Sequence, residues 1–244
     1  MTRTLRLGET PVGLADLAAV ARGKAAVELT DAARRDMQVS EGWVADLAAR
    51  MDRGEATQAI YSINTGFGSL SGRQAFRSSA QARDLSRRLV VSNAAGVGRH
   101  LDPEVVRAAM LIRAASLVRG YSAVRPVVAE TILAMLERDV VPVVPEYGSL
   151  GASGDLIPLA HMALVMSRDE AGESEIDSGE AHFRGERMSG VAAMRAAGIE
   201  RLVLGPKEGL ALLNYLLPAR SQTRWQSPRQ RGPRTIHPCL AHTQ

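Results

Sequence analysis

Residues 143–164 read VVPEYGSLGASGDLIPLAHMAL, and the middle of that stretch, Gly148-Ser149-Leu150-Gly151-Ala152-Ser153-Gly154-Asp155-Leu156, carries the most specific chemistry in the chain. Glycine has no Cβ, so the amide nitrogen of Gly154 can approach the carbonyl carbon of Ala152, whose own side chain is a single methyl. If that nitrogen adds to the carbonyl and water leaves, and Ser153 then loses its hydroxyl as a second water, an imidazolone with an exocyclic methylidene results. Such a ring is an electrophile. No ordinary side chain is one, so the chain would gain a function otherwise supplied by a bound cofactor. The plainer alternative is a glycine-rich turn before a helix running from Asp155 to Met166. Ala-Ser-Gly is too common a triplet to decide between the two.

Working outward, the text is mostly helical. Thr4–Leu7 reads as a strand and Leu14–Arg22 as a short helix. Thr30 is placed to cap a helix from Asp31 to about Arg53, in which Met37, Val44, Leu47, Ala48 and Met51 recur at helical spacing. Asp102-Pro103-Glu104 is a start signal for a helix that Gly120 stops, and Pro126 opens the next, through about Arg138. Ser189 begins another to Gly198, and Pro206 opens a last one over Lys207–Asn214. Three glycine-bearing segments interrupt the pattern: YSINTGFG from Tyr61, SNAAGVG from Ser92 and YGSLGASGD from Tyr147. Residues 168–187 are polar and glycine-rich and read as a solvent loop or hairpin.

With 45% hydrophobic and 23% charged residues in 244, the chain lies in the ordinary globular range, which excludes disorder as a whole. Glu130 and Glu137 bracket its most apolar helix, so no membrane span is expected. Asp16 interrupts any secretory leader and Cys239 is the only cysteine, so a cytoplasmic, reducing compartment is expected. The net charge of +4 is local: residues 215–244 hold Arg220, Arg224, Arg229, Arg231 and Arg234 with no acid, leaving 25 basic against 26 acidic side chains before them. No aromatic interleaving or recognition motif accompanies these arginines, so a solvated end is preferred to a nucleic-acid site. His237, Cys239 and His242 lack the spacing of a metal site. The same segment is rich in Pro and Gln and has no apolar period after Leu217, in a chain with 28 Arg and two Lys. It reads as a frameshifted or foreign end with no fixed structure.

Taken in order, YSINTGFG, SNAAGVG, RAASLVRGYSAVRP from Arg113, the 143–164 stretch and GPKEGLALLN from Gly205 resemble the histidine ammonia-lyase family of aromatic amino acid lyases. The resemblance covers residues 1–214, and family chains continue for a comparable length again. It implies a mainly α, ammonia-lyase-like helical fold. Residues 1–145 would be a mostly helical N-terminal domain with a small mixed α/β part, and 146–214 the start of a truncated central bundle whose apolar faces would lack partners.

The resemblance also implies roles. Ala152, Ser153 and Gly154 would form the methylidene-imidazolone prosthetic group autocatalytically, with no external cofactor and no metal. Tyr61 would take the β-proton of the substrate, its phenol needing activation or a proton relay to act as base at neutral pH. Gly66, Phe67 and Gly68 would form a lid loop. Asn214 would lie near the prosthetic group, its alternative being a helix C-cap. Ser92 and Asn93 would face the substrate, although histidine-specific members carry His where this chain has Asn93. An amide there can meet an imidazole nitrogen or a phenol, which keeps phenylalanine or tyrosine ammonia-lyase, or an aminomutase, as alternatives. The reaction implied is non-oxidative loss of ammonia from an aromatic L-amino acid, foremost L-histidine to trans-urocanate, by a homotetramer. The family's second tyrosine, carboxylate-binding arginine and acidic residue come from its C-terminal half, so this chain alone is expected to be inactive. A non-catalytic lyase-like interaction protein is the third reading.

Overall fold

The computed structural model describes residues 3–56, 58–149 and 154–214. The expected tail at 215–244 and two of the ring-forming residues, Ala152 and Ser153, lie outside them. The chain opens with a βαβ unit: β1 (Arg3–Leu7), α1 (Leu14–Ala21) and β2 (Ala25–Leu29), the strands parallel with Arg3 opposite Ala25 and Leu7 opposite Leu29. Leu5 and Leu7 point inward by strand alternation. Thr30 then turns the chain into α2 (Asp31–Asp52), its Oγ1 accepting from Ala33 N at 3.3 Å and donating to Leu7 O at 3.0 Å.

The middle of the chain is α3 (Ser79–Asn93), β3 (Val97–His100), α4 (Pro103–Leu117), α5 (Pro126–Glu137), β4 (Val140–Pro142) and β5 (Pro145–Tyr147). Then come α6 (Leu156–Met166), β6 (Ser167–Arg168), β7 (Glu180–Phe183), β8 (Glu186–Ser189), α7 (Gly190–Ala196), β9 (Leu202–Val203) and α8 (Glu208–Leu213). The mainly helical class stands, with strands confined to two- and three-stranded patches. The core is one continuous apolar cluster running from Leu5 to Leu213 and centred on α4, α5 and α6, where Met110, Leu111, Ile132, Met135, Leu159 and Met162 are buried. Contrary to the expectation of open apolar faces, α6 is covered. The polar stretch 168–187 runs through a short 3₁₀ turn at Ile176–Ser178 into a hairpin, β7–β8, paired through β7 to β4 and laid over α6, with Ser178 buried and Gly179 close against Leu164. That solves the burial problem that the helix text alone leaves open.

Arginine supplies much of the polar cohesion. A helix ends with carbonyls that lack partners, and a guanidinium can meet several at once. Arg107 donates to Val20 O and Ala21 O at the end of α1, to Leu136 O at the end of α5 and to Asp139. Arg138 donates to Ala197 O and Gly198 O behind α7. Arg201, buried, closes α6 by donating to Leu164 O, Val165 O and Ser167 O, and burial holds its pKa down at about 10.

Candidate active site

Tyr61 stands on a braced turn. Asn64 is fully buried and ties the turn from both sides: Oδ1 accepts from Ile60 N at 2.6 Å, Nδ2 donates to Gln58 O at 2.8 Å, and its carbonyl accepts from Ala75 N and Phe76 N. Thr65 Oγ1 accepts from Ser62 N at 3.2 Å and donates to Gly66 O at 2.9 Å, holding Ser62 at φ +64°. With its neighbours fixed inward, Tyr61 is 50% exposed, its ring set edge-on to Phe67 with 5.9 Å between centroids. Gly66 and Gly68 have different reasons to be glycine. A Cβ on Gly66 would fall 2.7 Å from Leu70 Cβ, whereas Gly68 turns the chain at φ +59° into a short 3₁₀ turn over Gly68–Leu70. Asn64 and Thr65 were not singled out by the sequence reading; Asn and Thr amid glycines are the residue types that bond their own backbone in turns.

Ser92 and Asn93 are not in a loop, as the glycine-bearing text implied, but in the last turn of α3. Ser78 Oγ caps the start of that helix, and both residues donate back to Leu89 O, Ser92 Oγ at 3.2 Å and Asn93 Nδ2 at 2.8 Å. Their helix is joined to the 143–164 stretch just beyond. Gly96 N donates to His161 Nε2 of α6 at 3.0 Å, which makes Nδ1 the protonated nitrogen of a neutral imidazole. Burial, reinforced by His100, lowers the His161 pKa. A Cβ on Gly96 would meet that imidazole at 3.0 Å and Pro145 at 3.1 Å, so a larger residue would push the imidazole or Pro145 back. β3 then pairs antiparallel with β5, Val97 opposite Tyr147.

On either side of residues 150–153 the backbone is of the kind glycine allows. Gly148 has φ +149° and packs so tightly on Ile157 that a Cβ would overlap it; Gly154 is buried at φ +98°. Asp155, fully buried, stands at the N-terminus of α6 and accepts from Ser149 Oγ. A buried residue without a side chain at Gly154, with Ser149 tied to the neighbouring Asp155, fits the condensation read from the sequence.

The last matched string is the most heavily bonded. Glu208, 2% exposed, receives Arg125 N at 3.0 Å, Arg125 Nε at 2.9 Å, Arg125 Nη2 at 2.7 Å and Gly205 N at 2.6 Å. The Arg125 pKa is raised chiefly by this hydrogen bonding. Lys207, at φ +69°, donates to Ser122 O, and burial lowers its pKa. α8 packs on α3, where Gly209 lies against the Ser86 carbonyl, and on α6. Asn214 ends it as C-cap and lines a cavity of about 700 Å³ with Arg113, Ser116, Tyr121 and Leu17. The structure therefore brings together α3, α6 and α8, which carry Ser92 and Asn93, follow Gly154, and precede Asn214. Among the described residues no hydrogen bond, ion pair or ring contact joins Tyr61 to Asn214, and no group of acids, His or Cys is arranged to hold a metal.

Comparison with known proteins identifies the family. The family model for aromatic amino acid lyases matches residues 12–215. The chain is 47% identical over 211 residues to a histidine ammonia-lyase of Anaeromyxobacter sp. (strain K), covering 86% of this chain and 40% of that protein. The chain thus spans about two fifths of the length of such relatives. Among solved structures, the ergothionase of Treponema denticola superposes with a TM-score of 0.79 at 25% identity, covering 91% of this chain and 41% of its own. Phenylalanine aminomutase of Pantoea agglomerans does so at 0.77 and 31%, covering 91% and 39%. With the helical scaffold, the ordered strings and these likenesses in agreement, the chain belongs to the aromatic amino acid lyase family.

Proposed function

We propose that this chain is the prosthetic-group-bearing part of an ammonia-lyase that eliminates ammonia from L-histidine to give trans-urocanate. The observation that carries this reading is the 143–164 stretch, in which Gly148 and the buried Gly154 both have positive φ on either side of the Ala152-Ser153 pair. Ala152, Ser153 and Gly154 are the residues that would become the methylidene-imidazolone, without an external cofactor. Once formed, that group supplies an electrophile toward amines, making ammonia a good leaving group.

The remaining chemistry falls to side chains. Tyr61, aimed outward from its braced turn, takes the substrate's β-proton at its phenolic oxygen, and Gly66, Phe67 and Gly68 close over it as a lid. Ser92 and Asn93 meet the substrate ring, and Asn214 stands beside the prosthetic group. Residues 1–145 act as a domain carrying the tyrosine segment and 146–214 as the start of the central bundle, with 215–244 as a foreign end. The whole enzyme is a cytoplasmic homotetramer acting on a free amino acid. No helix among the described residues is long and apolar enough to cross a membrane.

A second reading, a phenylalanine- or tyrosine-directed lyase or aminomutase, is favoured by one observation. Asn93 spends an amide hydrogen on Leu89 O, leaving its side chain less free to serve an imidazole than the histidine of histidine-specific members. Two assays test these readings. Incubating the purified 244-residue chain with L-histidine, L-phenylalanine and L-tyrosine is expected to give no useful release of ammonia. Fusing residues 1–214 to the matching C-terminal part of a histidine ammonia-lyase is expected to restore release from L-histidine. Release from phenylalanine or tyrosine alone would transfer the assignment to the second reading, and release from none would end both.

A further inference from the structure

Ser149 has no role in the family resemblance, yet it joins the two sides of the stretch that would cyclise. Its hydroxyl donates to the Asp155 carboxylate. Asp155 is fully buried while Ser149 is exposed, so the bond runs from an open position to a group withdrawn from water. Burying a carboxylate costs free energy unless hydrogen bonds replace its water, and a hydroxyl is a donor that achieves this without adding charge. One residue earlier, Gly148 is packed on Ile157 in the first turn of α6; one residue before Asp155, Gly154 is held at φ +98°. Both ends of residues 149–155 are thereby anchored to the start of the same helix.

We propose that Ser149 is a positioning residue for prosthetic-group formation: its hydroxyl orients the Asp155 carboxylate and ties residue 149 to residue 155, beside the Gly154 nitrogen that is to add to the Ala152 carbonyl. The inference rests on the reading that the ring forms. In that condensation the Gly154 nitrogen bonds to the Ala152 carbon. The carbonyl oxygen leaves as water with the hydrogens of the Gly154 and Ser153 amides, and a carbon–nitrogen double bond remains to the Ser153 nitrogen. The Ser153 hydroxyl then leaves as a second water with the hydrogen on its Cα, creating the methylidene. No oxidant or reductant is needed. Closing a loop beforehand removes part of the entropy that the first bond would otherwise cost, and a carboxylate fixed one residue from the attacking nitrogen is a base held in one orientation.

The test is the time course of intact mass, with peptide mapping, for newly synthesised 244-residue chain and for its Ser149→Ala and Ser149→Thr variants. The parent is expected to become lighter by two waters within the peptide that holds residues 152–154. Ser149→Ala should do so about tenfold more slowly, the rate equivalent of one hydrogen bond to a charged group, while Ser149→Thr should follow the parent. Since Ser149 is exposed, parent-like circular dichroism is expected of both variants. Ser149→Ala maturing at the parental rate overturns the inference and leaves the ring reading intact. Ser149→Thr as slow as Ser149→Ala also overturns it, because a hydroxyl would then not suffice. A parent of unaltered mass overturns both.

Discussion

The packed block of α4, α5, α6 and α8 and the segment from Ala56 to Ser78 are built to opposite specifications. In the block most apolar side chains are buried, and arginine ties several of its polar groups, as at Glu208 and the end of α6. The segment has one short 3₁₀ turn, and its apolar anchorage is a satellite cluster in which Ala56 and Ile63 meet Val44, Leu47, Met51 and Ala82. Its large side chains Tyr61 and Leu70 are more than half exposed or close to it. Regions with few buried contacts open locally at a free energy well below that of global unfolding. The contrast predicts that the segment carrying Tyr61, anchored by the Asn64 and Thr65 bonds and this small cluster and not by the continuous core, opens at a lower free energy than the helices.

The sharpest way to break this contrast is to make the same truncation on both sides. Leu159→Ala, in α6, removes a side chain that is 1% exposed within the continuous core and should lower global stability by about 2–5 kcal/mol in urea denaturation. Ile63→Ala removes an equally buried side chain from the satellite cluster. It should shift the global transition less, while amide exchange speeds up over residues 58–76 and not in α4–α6. Equal global shifts with uniform exchange would show the two regions to be one cooperative unit. Next in size, Glu208→Gln keeps the shape but has one accepting oxygen in place of two and no charge, so it cannot keep all four of the bonds from Arg125 and Gly205. It should cost about 2 kcal/mol, below the figure for a fully buried pair because Arg125 is partly exposed.

The helices were readable wherever apolar residues recur at helical spacing between a cap and a stop, as in α2, α4 and α5. α3 was not, and the reason is physical. Its inner face is Ala82, Ser86, Arg87 and Val90, so a serine and an arginine interrupt what would otherwise be an apolar stripe. Arg87 can be buried there because it donates to Ser167 Oγ and to Asp177 O, partners that lie eighty and more residues away. The same distance effect hid the cover over α6, since 168–187 is polar text whose pairing partner, β4, precedes it. At the site, the glycines of YSINTGFG marked a turn, whereas Ser92 and Asn93 of SNAAGVG lie in α3, and text alone cannot say which bonds such segments make. The Gly96–His161 link, the four bonds to Glu208 and the bracing by Asn64 are all pairings that only the folded chain exhibits.

His161 offers a pH handle on the block. Its folded pKa lies below the ordinary 6.5, through burial first and His100 second. Below 6.5 the unfolded chain therefore binds more protons than the folded one. Stability should be full above that value, decline as pH falls toward and through the lowered pKa, and level off beneath it. Protonation also removes the acceptor that Gly96 N uses. Glu175 and Glu180 line the same cavity, but Glu180, paired with Arg187, has its pKa held below 4.5, so its own loss begins at lower pH. Urea titrations from pH 7.5 to 4.5 on the parent and on His161→Gln separate these contributions. A variant that declines as steeply as the parent between 6.5 and 5 would assign the slope elsewhere.

The smallest expected change in stability is also the one that bears most directly on function. Tyr61→Phe deletes a single hydroxyl from a ring that is half exposed and retains its edge-on contact with Phe67. A surface substitution of this kind should leave stability within about 0.5 kcal/mol of the parent. Because the ring stays and only the oxygen proposed to accept the proton goes, the catalytic consequence can be read separately. In the fusion carrying a relative's C-terminal part, turnover should fall by about 100-fold or more, the scale of a lost general base, with maturation of the ring by mass unchanged. If turnover persists while mass and stability stay parental, the base is another residue and the outward tyrosine serves only to pack on Phe67. If stability itself falls by several kcal/mol, the segment is bound into the core after all, and the contrast between the two regions disappears.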